Sequence, residues 1–425
     1  MENIVQKYIK RDIFEKVADH LKKPEITLIT GSRQVGKTVL LSQLREFLIK
    51  EKSVKEDLIF SYNLDLIQDW EVFQNQTDFI KFLRDRSQKQ KIYIFVDEAQ
   101  KVPEATRFFK GVYDSKLNIK LILTGSSSLE LKAGFKETLA GRKIVFQICP
   151  FSFLEFLRYK EKFLANSLQA DKKISNIDNK KIKDYYKEYL VFGGYPRVVL
   201  SETKEEKISI LKEIYSSYVE KDVVGFLEIK NKPVFNRLLK LLASQIGQLV
   251  NIGELATNLG ADRKTIEKYI FSLEETFILK KISPYFTNPR QEVIKSGKVY
   301  FADLGIRNLV VENFNNLTER VDKGVLLENA VLIEIFQRSN LTDKLRFWRT
   351  KQGAEVDFVI ESDRLTAVES KFSIKKESIS LSLRNFIKKF KPERTIVANF
   401  SIDSKKVKIE DALIEFVYPF NIRLK

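Results

Sequence analysis

Glycine, lysine and threonine occur near the start of the chain in a spacing that suits phosphate binding. They follow an apolar run at 26–30 and precede a helical pattern at 39–48. In such a strand-to-helix turn, backbone N–H groups converge on phosphate oxygens, the lysine reaches the β- and γ-phosphates, and the threonine hydroxyl ligates Mg²⁺. The sequence therefore predicts a P-loop for a nucleoside triphosphate at Gly31, Ser32, Arg33, Gln34, Val35, Gly36, Lys37 and Thr38.

A pair of acidic residues ends a second apolar run. Residues 92–96 are apolar and aromatic, which is typical of a parallel strand buried on both faces, and Asp97 and Glu98 follow directly. Phosphoryl transfer depends mostly on positioning and charge stabilisation, so we expect Asp97 to hold Mg²⁺ and Glu98 to orient and polarise the attacking water. Such acids can also simply cap a helix. The P-loop upstream favours the catalytic interpretation, a Walker B sequence.

Hydroxyl side chains follow a third apolar run at 121–124. Open α/β sheets bind ligands at the carboxyl ends of their strands, so Thr124 or Ser126 is a candidate sensor of the γ-phosphate. The serines can equally well cap the next helix. With the runs at 58–64 and 144–148, these segments predict five strands alternating with helices, an α/β nucleotide-binding core at 1–149.

Arg142 follows a glycine and precedes the last of these strands. Hydrolysis at a P-loop is often completed by an arginine that neutralises transition-state charge, from the same chain or from a neighbouring subunit. Arg142 is therefore a candidate arginine finger. An ordinary surface arginine is the alternative. If Arg142 acts on a neighbouring subunit, the protein must work as a homo-oligomer.

Composition indicates a folded protein of several domains. The chain has 425 residues, of which 44% are hydrophobic and 31% charged, and it has no apolar stretch long enough to cross a bilayer. Cys149 is the single cysteine, which excludes an intrachain disulfide and leads us to expect a cytoplasmic protein. The single histidine, His20, excludes histidine-rich zinc sites. The formal charge of +17 favours a polyanion such as DNA, although a lysine-rich genome can also produce such an excess.

Helical patterns replace the strands at 150–227 and predict a helical lid. A Gly-Gly-Tyr-Pro sequence at 193–196 interrupts them. This turn could direct Arg197 toward the nucleotide as a second sensor. A purely structural turn is the alternative.

Residues 228–312 have the spacing of a winged helix-turn-helix. On the last helix of this unit, Arg263, Lys264 and Lys268 are predicted to face a DNA backbone, with Thr265 near base edges. Winged helices also serve as rigid spacers or protein docking units, so DNA binding remains one of two interpretations. The unit consists of helical patterns at 233–248, 253–259 and 263–276, then strands at 277–282 and 298–301 that enclose a basic segment at 288–291.

A separate acidic constellation occupies the last hundred or so residues of the chain. Asp357 lies in a strand, Glu369 and Lys371 end the next strand, and Glu328 lies on the helix upstream. Asp357 and Glu369 are candidate Mg²⁺ ligands, supported by Glu328, while Lys371 could position a hydroxide or stabilise a scissile phosphate. The D…ExK pattern and the order of elements predict a restriction-endonuclease-like α/β domain at 313–425. Such a site can also persist without cleavage as a binding or structural feature.

Together, these motifs resemble a family of prokaryotic AAA+-type ATPases with a P-loop core, a winged helix and a C-terminal restriction-endonuclease-like domain. The resemblance implies ATP as the nucleotide. It leaves two hypotheses: an ATP-hydrolysing switch that binds DNA and cuts it with Mg²⁺, or an ATP-gated regulatory or defence protein whose nuclease-like domain only binds DNA or protein. The residues that carry it are 31–38, 96–100, 124–128, 139–142, 193–196, 300–305, 355–357 and 368–371.

Overall fold

The chain forms two compact units, each with its own sheet. One unit consists of the residues up to Cys149 with Glu275–Phe277, and the other of Pro150–Glu274 with Ile278–Lys425. The computed structural model describes residues 8–87, 90–125, 139–170, 174–218, 229, 231–286, 296–340 and 342–424.

The first unit contains a parallel sheet of five strands in the order β2-β3-β4-β1-β5. All five residues of β1 are buried, as expected for a central parallel strand. The elements of this unit are α1 (Phe14–His20), β1 (Ile26–Thr30), α2 (Lys37–Lys50), β2 (Ile59–Asn63), α3 (Ile67–Trp70), α4 (Gln76–Ser87), β3 (Ile92–Asp97), α5 (Ala105–Asp114), β4 (Ile119–Gly125) and β5 (Lys143–Gln147).

The five predicted strands are confirmed, with small shifts at their ends. The largest shift is in β4, which begins two residues before the predicted 121. Lys120 hid this start, because a lysine interrupts the apolar pattern by which a buried strand is recognised in a sequence. In the structure the Lys120 side chain is nevertheless fully buried.

Lys120 and His20 form a small buried polar cluster. The Lys120 ammonium donates to the carbonyls of Lys23 at 3.1 Å and Glu25 at 2.5 Å, and it lies 3.3 Å from His20 Nδ1. His20 Nδ1 is also 2.7 Å from the Thr27 hydroxyl. Burial, with the neighbouring Lys120 ammonium, lowers the pKa of His20 to about 4. Burial likewise lowers the pKa of Lys120 to about 7.

The second unit contains a mixed sheet of eight strands in the order β12-β13-β11-β10-β9-β8-β6-β7. Among the described residues, no helix is both long enough and apolar enough to span a bilayer. The elements of this unit are α6 (Phe153–Lys160), α7 (Lys162–Gln169), α8 (Asn176–Phe192), α9 (Pro196–Leu200), α10 (Lys204–Ile214), α11 (Lys232–Ser244), α12 (Ile252–Leu259), α13 (Arg263–Glu275), β6 (Leu279–Pro284), β7 (Lys298–Phe301), α14 (Leu304–Val310), α15 (Lys323–Arg338), β8 (Lys344–Arg349), β9 (Glu355–Glu361), β10 (Leu365–Lys371), α16 (Leu381–Phe390), β11 (Arg394–Asn399), β12 (Lys405–Ile409) and β13 (Ala412–Val417).

Three helices and a hairpin occupy the segment predicted as a winged helix. Helices α11, α12 and α13 agree with the predicted helices, and β6 pairs antiparallel with β7. The basic segment 288–291 lies outside the described residues. Strand β6 also pairs in parallel with β8, through Ser283 beside Arg346 and Pro284 beside Phe347. The predicted boundary between 312 and 313 therefore falls within the span of one continuous sheet.

The Gly-Gly-Tyr-Pro turn has a structural role. Gly193 has a φ of +76°, and a Cβ atom at this position would lie 2.3 Å from a carboxylate oxygen of Asp303. The Gly194 N–H donates to the same carboxylate at 2.7 Å. Arg197, the candidate second sensor, instead forms a bidentate ion pair with Glu213, at 2.5 and 2.9 Å. The turn thus fastens α8 to the start of α14.

The buried state of His20 predicts a pH-dependent stability of the first unit. The unfolded chain protonates His20 near pH 6.5, whereas the folded unit resists protonation until about pH 4, so the free energy of unfolding should fall as pH drops through this window. We expect a loss of about 1–3 kcal/mol. Urea unfolding between pH 4 and 8, followed by Trp70 fluorescence in a Trp348→Phe background, measures this loss.

His20→Gln supplies the control, because His20 is the only histidine of the chain. This variant should depend less steeply on pH between 4 and 6.5. The same slope in both proteins would assign the pH dependence to other groups.

Candidate functional site

The predicted P-loop connects β1 to α2 with a tightly constrained backbone. Gly36 has a φ of +97° and directly precedes the first residue of α2, a conformation that glycine adopts without steric cost. A Cβ atom on Gly31 would lie 2.2 Å from the carbonyl oxygen of Ile148. Lys37 is buried, and its ammonium donates to the carbonyls of Gly31 at 3.0 Å and Ser32 at 2.9 Å. The lysine charge is therefore held against the loop itself.

Asp97 lies at the carboxyl end of β3, within reach of the P-loop helix. The Thr38 hydroxyl donates to Asp97 Oδ2 at 2.5 Å, so the two predicted Mg²⁺ ligands are in direct contact. The Thr124 hydroxyl donates to the other oxygen, Asp97 Oδ1. Strand β4 lies between β1 and β3, which is why its last residues stand beside both. The carboxylate is thus fixed by one hydroxyl on either side.

Glu98 follows in an unusual backbone conformation. Its φ and ψ are +57° and +44°, in the left-handed region that few non-glycine residues adopt. The Glu98 N–H donates to the Thr124 hydroxyl at 3.1 Å, and the Gln100 side chain donates to Glu98 Oε2 at 2.5 Å. Strained backbone of this kind concentrates at functional sites. Thr124 therefore positions both acids of the Walker B sequence.

The side-chain oxygens of Thr38 and Asp97, at the carboxyl ends of the strands, suit Mg²⁺. Magnesium prefers oxygen ligands and is usually bound through one or two carboxylates together with substrate phosphates and water. The Thr38 hydroxyl and the Asp97 carboxylate, already 2.5 Å apart, provide the protein ligands of such a site. Ser126, the other candidate γ-phosphate sensor, lies outside the described residues.

Arg142 lies at the amino ends of the strands, whereas the P-loop lies at their carboxyl ends. Its carbonyl accepts from the N–H of Ile26, which begins β1, whereas the P-loop follows the far end of that strand. Four residue steps along a strand separate the two ends by about 13 Å. The Arg142 guanidinium instead pairs with Asp114, at 2.8 and 3.3 Å, and this hydrogen bond raises the pKa of Arg142. The Arg142 guanidinium is therefore engaged by Asp114, and its backbone lies at the opposite end of β1 from the P-loop.

Arg11 contacts the P-loop and was missed in the sequence. Its buried guanidinium donates to the carbonyl of Val35 at 2.8 Å and to that of Cys149 at 2.6 Å. It thereby joins the loop to the segment after β5. No local pattern marks Arg11, because its partners are 24 and 138 residues away in the chain.

The four predicted residues of the C-terminal acidic constellation are not assembled as a metal site. Across the described part of the chain, no three or more histidine, cysteine, aspartate or glutamate side chains form a group that could hold a metal ion. Glu328 accepts from the Tyr300 hydroxyl, Asp357 accepts from Ser370, and Glu369 pairs with Lys371. The predicted carboxylate ligands are thus engaged by protein donors.

The predicted DNA-contacting residues lie at the start of α13. Arg263, Lys264 and Lys268 are exposed, as the prediction requires. Thr265 differs, because its hydroxyl donates to Asp262 Oδ2 at 2.6 Å and its N–H donates to Oδ1 at 2.9 Å. Thr265 and Asp262 therefore cap the helix. A contact between the Thr265 hydroxyl and a base would require this bond to break.

Comparison with protein families assigns part of the chain. Residues 23–157 match the AAA domain, residues 183–317 match a domain of unknown function (DUF8612), and residues 323–419 match another (DUF4143). The AAA match covers the P-loop, both acids and all five parallel strands. It supports a nucleotide-binding P-loop ATPase as the activity of the first unit.

Relatives of similar length occur in bacteria and archaea. A Haemophilus influenzae protein named "Uncharacterized protein" is 27% identical over 380 residues, covering 87% of this chain and 86% of its own. "Uncharacterized protein MJ1544" of Methanocaldococcus jannaschii is 27% identical over 428 residues, covering 97% of this chain and 90% of its own. Among solved structures, the Aeropyrum pernix ORC2 protein (ADP form) aligns with a TM-score of 0.37 at 13% identity, over 74% of this chain and 96% of its own.

The bridging position of Thr124 yields a specific prediction. Thr124→Val keeps the shape of the side chain but removes the hydroxyl that holds Asp97 and the Glu98 N–H. We expect kcat for nucleoside-triphosphate hydrolysis to fall about 10–100-fold, since small misplacement of catalytic groups has effects of this size. Nucleotide affinity should change much less. Thr124→Ser retains the hydroxyl and should stay near wild type, and equal losses in both variants would argue against the hydrogen bonds.

Proposed function

We propose that the first unit binds ATP with Mg²⁺ and hydrolyses it. The contact between the Thr38 hydroxyl and Asp97, at 2.5 Å, is the observation that carries this proposal, because these are the two side chains expected to share the metal. Magnesium supplies positive charge to the β- and γ-phosphates when it is bound. The AAA match over residues 23–157 supports the same activity.

The chain's own residues have distinct roles in this proposal. Loop N–H groups at 31–36 hold the phosphates, and the buried Lys37 moves its ammonium from loop carbonyls to the β- and γ-phosphates. Glu98, fixed through its backbone by Thr124, orients the attacking water. Thr124 is placed to sense the γ-phosphate through the same hydroxyl.

Arg142 enters the proposal only through a second copy of the chain. Because Arg142 lies at the end of β1 away from the P-loop, the catalytic role that we propose for it is on a neighbouring subunit. Such sharing requires a homo-oligomer in which the Asp114 pair opens or reorients. The surface ion pair with Asp114 is the simpler account of this residue.

We further propose that the second unit comprises a helical lid at 150–227, a winged helix at 228–312 and a restriction-endonuclease-like domain at 313–425. The helix-turn-helix spacing of α12 and α13, followed by the β6–β7 hairpin, supports the winged helix. The order α15, β8, β9, β10, α16, β11, with β10 and β11 parallel, supports the nuclease-like fold. Exposed Arg263, Lys264 and Lys268 form the proposed DNA contact.

Substitutions at Glu98 and Lys37 separate binding from hydrolysis. Glu98→Gln should bind ATP normally but hydrolyse it about 10²–10³-fold more slowly, because the water loses its orienting base. Lys37→Ala should lose ATP binding as well. Calorimetric titration with ATP and a phosphate-release assay measure the two properties. Glu104→Gln is a matched control, since Glu104 is exposed and paired with Arg107. Undiminished hydrolysis in Lys37→Ala would refute the proposed site.

The DNA proposal is tested by charge removal on α13. Joint replacement of Arg263, Lys264 and Lys268 by alanine should weaken DNA binding and reduce the salt dependence of log K by about 2–3, because each phosphate contact contributes about 0.9. Fluorescence anisotropy with labelled duplex DNA across a salt series measures both. A control variant with the same charge change replaces exposed lysines of α8 and α10, Lys180, Lys204 and Lys212. Equal losses in both variants would indicate general charge attraction rather than a site.

A further inference from the structure

Four carboxylates of the second unit are called the acidic cluster. Three are the predicted ligands Glu328 on α15, Asp357 on β9 and Glu369 on β10, and the fourth is Glu355 on β9. Glu328 and Glu355 share one partner, the Lys298 ammonium, and Asp357 lies two residues after Glu355 on β9. Asp357 in turn accepts from Ser370, the residue after Glu369 on β10.

Lys298 supplies a cation from β7, the last strand of the same sheet. Its ammonium lies 3.4 Å from Glu328 Oε1 and in direct contact with Glu355 Oε1. The side chain is only 1% exposed, so the ammonium is removed from water as completely as any core residue. Burial alone would lower the pKa of Lys298, but the Glu328 and Glu355 carboxylates outweigh burial and raise it. Two carboxylates therefore flank the buried Lys298 ammonium.

The other oxygens of the acidic cluster have protein donors of their own. The Tyr300 hydroxyl donates to Glu328 at 2.7 Å, and Arg349 donates to Glu355 Oε2 at 2.9 Å. The Ser370 N–H and hydroxyl donate to Asp357 Oδ2 at 2.7 and 2.8 Å. The Lys371 ammonium lies 3.0 Å from Glu369 Oε1.

We infer that Lys298 is the built-in counter-cation of the acidic cluster and that the C-terminal sheet is a metal-independent module that does not cleave nucleic acid. A divalent ion at Glu328 and Asp357 would meet the Lys298 ammonium as a like charge. Binding of that ion would force the buried Lys298 ammonium away from Glu328, and separating a buried charge from one of its partners is unfavourable. The cluster is thus neutralised by the protein in the place where a nuclease would use metal.

This inference rests on the proposed nuclease-like fold but not on the proposed ATPase activity. Of the two hypotheses for the C-terminal residues, cleavage of DNA with Mg²⁺ or binding of DNA or protein alone, it favours binding alone. A failure of ATP binding at Lys37 would leave it intact, and a metal bound at Asp357 would overturn it without affecting the ATPase.

Manganese binding to the full chain tests the inference directly. Asp97→Asn removes the carboxylate at the P-loop, so in the absence of nucleotide any remaining tight site must lie elsewhere. Mn²⁺ titration followed by electron paramagnetic resonance should show no bound ion below the millimolar range. One bound Mn²⁺ per chain, lost when Asp357→Asn is added, would overturn the inference. Plasmid DNA incubated with wild type, Mn²⁺ and ATP should likewise stay supercoiled.

Removal of the ammonium should create the metal site that the wild type lacks. In the Asp97→Asn background, Lys298→Met should lower the thermal midpoint, and added Mn²⁺ should raise that midpoint again by replacing the missing charge. Lys281→Met, at an exposed lysine of the adjacent strand β6, is the control and should respond to neither change. A lowered midpoint that Mn²⁺ leaves unchanged would contradict the counter-cation role. If Lys298→Met does not fold, the number of Mn²⁺ ions bound per Asp97→Asn chain tests the inference by itself.

Discussion

The short contact between the Thr38 hydroxyl and the Asp97 carboxylate is the constraint on which the first unit depends. Thr38 follows β1 and Asp97 ends β3, yet these strands are not neighbours, because β4 lies between them. The contact forms only if all three strands end at the same level. Register within the parallel sheet, set by buried apolar side chains along each strand, is therefore what brings Thr38 and Asp97 together.

Asp97 of the first unit and the pair Glu328 and Glu355 of the second are stabilised by different kinds of partner. Asp97 is held by hydroxyl donors, Thr38 and Thr124, which leave its negative charge in place and can themselves turn toward a metal. Glu328 and Glu355 are held by an ammonium, Lys298, which cancels charge. A carboxylate held by neutral donors still attracts a cation, whereas one paired with a buried lysine has its cation already. Similar acidic patterns in a sequence thus lead to different chemistry.

The contact between the predicted P-loop and Walker B residues could be anticipated from the sequence, because both patterns are local. Each pattern lies within one short segment of the chain. The first has glycines, a lysine and a threonine within eight residues, and the second has an acid pair directly after an apolar strand. The acidic cluster was only half predictable. Its carboxylates were visible, but Lys298 is 30 residues from Glu328 and 57 from Glu355, and it lies in a short strand that looked like part of another domain. The ion pair of Arg142 with Asp114 and the burial of Lys120 could not be predicted for a related reason, since both are set by tertiary packing rather than by neighbouring residues.

The pairing of β6 with β8 has a consequence for how this chain can evolve or be divided. The hairpin carries one border of the C-terminal sheet, and its second strand carries Lys298. Cutting the chain between β7 and β8 would strip β8 of one of its two hydrogen-bonded neighbours and expose an open strand edge, which invites association with other chains. Recombination that exchanged the residues from 313 onward for foreign ones would face the same penalty. The two segments therefore belong to one continuous sheet, whatever separate tasks they perform.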